Sequence, residues 1–184
     1  MTSNPSDITT FWREAGPKRW FAKSDAFDSE IRTRFEPIHH AAARGELASW
    51  IDDPEGALAL LLLLDQVPRN IYRGSAHAFA TDPIARLVAR AALRAGHDLA
   101  FEAKLQPFFY LPFEHSENLE DQDQGVTLCR ALRDRHGDED TLKWAGLHRD
   151  IIVKFGRFPH RNMALGRVTT PAEQAFLDEG GFAG

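Results

Sequence analysis

The chain has 184 residues, 43% hydrophobic and 27% charged, which is ordinary for a globular protein that buries roughly two-thirds of its unfolded surface. Its net charge of -5 argues against a general nucleic-acid or anionic-membrane binder. The single Cys129 excludes an internal disulfide and fits a reducing cytosol, and the longest apolar run, Ala57 to Leu64, falls well short of the ~20 residues a membrane helix needs.

The short polar opening, residues 1–8, reads as disordered and carries no signal peptide, so the expected compartment is cytoplasmic. Beyond it almost every long segment has helical period. Phe27, Ile31, Phe35 and Ile38 mark a helix opening near Ser24-Asp25 and closing at Gly45. Asp53, Pro54 and Glu55 supply an N-cap, an N1 proline and a first-turn acid for the helix Ala57 to Gln66, which is apolar on all sides and therefore central. Asp82-Pro83 opens another helix, with Ile84, Leu87, Val88 and Ala91 inward. Gln106 to Ser116 is expected to be a connection, though one too apolar to face solvent. A helix from about Glu117 has acids early and arginines late, with Ser116 as its N-cap. Helix 139–155 follows, placing Trp144, Leu147, Ile151, Ile152 and Phe155 inward and stopping at Gly156. Thr170-Pro171-Ala172-Glu173 is a capping box for the last helix. The expected fold is all-α, one domain over residues 1–184 with about seven to nine helices joined by short connections.

Two stretches echo each other. Asp65-Gln66-Val67-Pro68-Arg69-Asn70 with Arg73, and Arg157-Phe158-Pro159-His160-Arg161-Asn162, both leave an apolar helix, meet a proline and then present Arg and Asn. Asp65, at the negative end of a buried helix, requires a cation, for which Arg69 and Arg73 are the nearest candidates. The pair either pins a turn or aims an arginine at a phosphate or carboxylate. Arg157, His160, Arg161 and Arg167 either form a local positive pocket or cap carbonyls and pair with Glu114, Glu117 or Asp65. Glu114-His115-Ser116-Glu117 offers a general acid or base, but its spacing matches no metal signature. His148, on an apolar helix face, reads as a core histidine. Cys129 sits mid-helix with no activating motif, and no dinucleotide, phosphate-loop or nucleophile-elbow pattern occurs, so neither metal nor cofactor is expected.

Trp20-Phe21, Phe27-Asp28, Leu63 to Asn70, Leu111 to Glu117 and Phe155 to Asn162 together resemble the bacterial domain-of-unknown-function family 924, over about Phe11 to Phe182. Val67 departs from the Phe the family usually carries before the proline. The resemblance implies antiparallel helix pairs similar to tetratricopeptide arrays, and it implies no activity.

The functional expectation is a pocket for a small phosphate- or carboxylate-bearing ligand. Asp65, Arg69, Asn70, Arg73, Glu117, Arg157, Arg161 and Asn162 would bind, and Glu114, His115 and His160 would serve as acid or base if a reaction occurs. The rival is a tetratricopeptide-like module that binds a protein or peptide without catalysis.

Overall fold

The structure, a computed structural model, describes residues 4–182. It is all-α, with no strand among the described residues. The α-helices are α1 (Pro5–Ala15), α2 (Pro17–Trp20), α3 (Asp25–Ala43), α4 (Pro54–Leu61), α5 (Val67–Ile71), α6 (Asp82–Arg94), α7 (Pro107–Glu114), α8 (Leu119–His136), α9 (Glu139–Phe155) and α10 (Pro171–Asp178). Residues 1–3 lie outside the described part, but the stretch expected to be disordered through residue 8 is helical from Pro5. Asn4 caps α1 through the Ser6 N–H, and Ile8 is fully buried.

The helices gather into two compact units. The first runs through Arg73 and resumes over His77–Pro112; the second takes Gly74–Ala76 and the described residues from Phe113 on. In the first unit, α1 packs on α4 and α3 on α5. The core there joins Ile8, Trp12, Phe27 and Ile31 to the wholly apolar run Leu58 to Leu64. In the second, α8 and α9 form the main pair. Gly125 of α8 packs against Phe113 and Glu114, where even a Cβ would stand at ordinary van der Waals distance, 3.4 Å from Phe113.

The signed boundaries behave as their chemistry requires. Ser24, Asp53, Asp138 and Thr170 cap α3, α4, α9 and α10, and Gly156 ends α9 in the left-handed region. Three expectations fail. Gln106 to Ser116 is not a loop: Pro107 to Glu114 form α7, because an octapeptide that is apolar up to its last residue, with proline at its first position and a second at Pro112, still has a helix's worth of surface to bury. Asn118, not Ser116, caps α8, accepting from the Glu120 and Asp121 N–H groups, while the Ser116 hydroxyl donates to Asp121 at 2.7 Å. Leu87 and Trp144 face outward, at 67% and 49% exposure.

A fourth unexpected feature matters most for the first candidate stretch. The chain does not turn at Pro68. Helical backbone continues from α4 through a π turn, Leu62–Gln66, into α5, so the three pieces form one rod and the described residues hold nine α-helices. A helical proline removes one hydrogen bond and crowds the carbonyl four residues earlier, here Leu64. The wider turn, in which the Val67 N–H reaches back to the Leu62 carbonyl, absorbs that crowding. Side chains then satisfy the displaced carbonyls: His39 Nδ1 donates to Leu63 O at 2.8 Å, the Thr81 hydroxyl to Leu64 O at 2.5 Å, and Arg69 Nη1 to Asp65 O at 2.7 Å.

Candidate functional site

The first unit answers the question posed by Asp65. Its carboxylate is buried, 3.1 Å from Arg69 and hydrogen-bonded by the Gln66 amide at 2.5 Å. Arg69 also grips Asp82 with both terminal nitrogens, at 2.9 and 3.0 Å. Burial alone would lower the guanidinium pKa, but Asp65 and Asp82 outweigh it and raise it, so the cation is fixed. Arg73 does not join this triad. It pairs with Asp28 of α3 at 2.6 Å, and Asn70 donates to the same carboxylate at 2.7 Å. Of the two readings of this stretch, the contacts are those of a lock: Arg69 holds α6 to the π turn, and Asn70 with Arg73 hold α3 to α5.

In the second unit the Pro159 stretch is a short 3-10 turn, Pro159–Arg161, launched from Phe158. Here too most charges are engaged. Arg157 makes a two-pronged pair with Glu173 at 2.5 and 2.8 Å and also donates to Val168 O. That arginine first, and the Thr170 backbone N–H next, hold the Glu173 carboxyl down at about 2. Arg167 grips Glu117 at 2.7 and 3.0 Å, and the Phe158 N–H donates to the same carboxylate at 2.8 Å. Burial would raise Glu117, but these donors outweigh it and keep it below the usual carboxylate range.

A further compact group gathers around Phe158. The Arg161 guanidinium sits 4.5 Å over the Phe158 ring, and the His148 and His160 imidazoles contact that ring at 5.7 and 5.6 Å. Burial, then the neighbouring Arg161, pushes His160 down to about 3, so it is neutral at physiological pH. His160 Nδ1 and Asn162 Oδ1 are buried and have no hydrogen-bond partner among the described residues. Glu114 closes the group from α7. It is 2% exposed, its Oε2 lies 3.7 Å from His148 Nδ1, and its Oε1 accepts from the Cys129 thiol at 3.5 Å. Gln122 caps the end of α7 beneath it, donating to the Glu114 and Ser116 carbonyls. His148 Nδ1 donates to Trp144 O at 2.8 Å, which fixes the tautomer and leaves Nε2 without a proton in the neutral ring. His115 contacts His148 ring to ring at 6.3 Å. Burial first, then Glu114, raises the Cys129 thiol far above its ordinary value, so it is inert as a nucleophile. No group of three residues placed to hold a metal ion occurs among the described residues.

This arrangement sits inside sequence that matches, over residues 8–181, a family described as bacterial protein of unknown function, domain-of-unknown-function family 924. The chain belongs to that family. It is also similar to the solved structure of a protein of unknown function from Agrobacterium tumefaciens, at 49% identity, covering 96% of this chain and 97% of that one, with a TM-score of 0.91. No curated protein matches it. No helix among the described residues is long and apolar enough to cross a membrane.

For this family 924 chain the residues sequence reasoning passed over are the partners. Asp28, Asp82 and Glu173 neutralise Arg73, Arg69 and Arg157, and each is distant from its arginine along the chain. Glu173 was legible only as a capping-box acid, a role it also fills. His148 is a core residue as expected, yet it is the ring that joins Glu114 to His115 and Phe158. Its one sequence signal was a histidine on an otherwise apolar face.

Proposed function

We propose that the second unit of this family 924 protein binds a small anionic ligand, carboxylate- or phosphate-bearing, at the turn 158–162. Arg161 is the cationic anchor, His160 and Asn162 supply directional hydrogen bonds, and Glu114 with His148 and His115 forms the proton-handling side. The observation that carries this reading is that the buried Nδ1 of His160 and the buried Oδ1 of Asn162, two residues on, have no hydrogen-bond partner among the described residues. The Asp65–Arg69–Asp82 lock leaves no such side-chain atom over, whereas two in one charged turn call for a ligand that brings its own donor and acceptor. Arg69, Arg73 and Arg157 drop out of the binding set because carboxylates of the fold already hold them.

Thermal shift with inorganic phosphate, acetate and citrate tests this. A ligand at 100 times its Kd adds about 2.7 kcal/mol, which is about 5–10 °C for a chain of this length. Arg161→Gln abolishes the shift and Arg73→Gln leaves it. A shift that survives Arg161→Gln, or none with any of the three anions, refutes the proposal.

A further inference from the structure

The histidine group has a cover supplied by its own unit. After α10 the chain passes through Gly180, at φ +82, and Gly181, whose N–H donates to Phe176 O at 2.9 Å. A Cβ at Gly181 would collide with the Phe176 carbonyl and ring, so only glycine allows this tight crossing. The crossing delivers Phe182 onto the site. Its ring stands edge-on to His148 at 4.6 Å and to His160 at 5.1 Å, with Trp144 at 6.3 Å on the outer side. Phe182 is thus the aromatic ring shared by the two imidazoles that also flank Phe158.

Phe182 also has somewhere else to go. Phe182 also lines an open groove of about 560 Å³ whose apolar wall is Leu147, Ile151, Phe155 and Phe176 and whose rim carries Lys143, Asp150 and Lys154. A ring held by ring packing, half-buried, on two glycines and beside a second apolar seat can change places with little loss of buried area.

We propose that Phe182 is a removable plug seated in a slot for a planar ring against the His148 and His160 imidazoles, so that the ligand of this site carries an aromatic ring next to its anionic group. This rests on the anion-binding reading above and names the class of its ligand: a small aryl carboxylate or aryl phosphate, whose ring takes the seat of Phe182 while its charge faces Arg161. Small aliphatic anions reach Arg161 but leave the plug seated, because they offer no ring surface in exchange.

Carbethoxylation of individual histidines by diethyl pyrocarbonate, read peptide by peptide, tests the plug without needing the natural ligand. The reagent attacks unprotonated imidazole nitrogen, and exposed His136 serves as the internal reference. Phe182→Ala is expected to speed modification of His148 and His160 by at least about tenfold, the effect of losing a local closed state, while Phe182→Tyr stays close to wild type. Benzoate then slows modification in Phe182→Ala, and acetate at the same concentration does not. An unchanged rate in Phe182→Ala overturns the plug, and equal protection by benzoate and acetate, or none by either, overturns the ring class. If the imidazoles open in Phe182→Ala while no anion shifts the wild-type melting temperature, the anion site fails and the plug stands. If phosphate still shifts melting through Arg161 but the imidazoles stay closed, the plug alone fails.

Discussion

Replacing Arg69 by Met separates the lock in the first unit from its cation while keeping most of the side chain's length. The variant takes the guanidinium from the Asp65 and Asp82 carboxylates, which are 1% and 6% exposed, and it removes the donor to the Asp65 carbonyl that the π turn released. Truncating one partner of a buried ion pair costs about 3–5 kcal/mol, because the remaining charge is stranded away from water. For a 184-residue chain each kcal/mol moves the melting temperature by about 2–4 °C, so the expected fall is about 6–20 °C. Calorimetry and urea unfolding read it directly. Asp82→Asn in the same background should recover part of the loss, giving a coupling of about 1–3 kcal/mol in the double-mutant cycle. A loss below about 1 kcal/mol for Arg69→Met would refute the reasoning, since it is the size expected of an exposed pair.

Three further outcomes follow from the same geometry. His160 has its folded pKa lowered to about 3, so the unfolded chain takes up the proton first and stability declines as pH falls from about 6.5 toward 3; His160→Asn should flatten that part of the melting-temperature profile. Glu173 is also depressed, to about 2 from an ordinary 4.5, but for a carboxylate the stabilisation is present above 4.5 and lost as pH falls through 2. The melting-temperature gap between wild type and Glu173→Gln should therefore be full at pH 7 and close below pH 4.5. Gly56→Ala places a methyl against the Trp50 carbonyl and should destabilise by about 1–3 kcal/mol in urea unfolding, because backbone cannot move aside as a flexible side chain could.

The candidate stretches show how far linear order can take the argument. Asp65 needed a cation and Arg69, four residues on, is that cation; one turn of helix carries this and no tertiary knowledge is required. Arg73, the other candidate for that carboxylate, pairs instead with Asp28, some 45 residues earlier, which no local rule could select. Pro68 misled in an informative way. Proline after a buried helix usually ends it, yet here the π turn and the hydroxyl of Thr81 remove the penalty, and Thr81 is contributed from beyond the next connection.

The sequence by itself determined the class and most of the boundaries: caps, N1 prolines, helical period and stop glycines act within one or two turns, so the all-α fold, the starts of α3, α4, α9 and α10, and the inert Cys129 could all be read from neighbours. Tertiary structure decided which charge answers which. Arg157 with Glu173, Arg167 with Glu117, and Glu114 with His148 are pairings across 16, 50 and 34 residues of chain, set by how α7 to α10 pack. It also decided that Phe182 comes to rest on two imidazoles. Local free energy fixes a helix because its partners lie within a few residues; a site is a coincidence of distant side chains, and only packing brings them together.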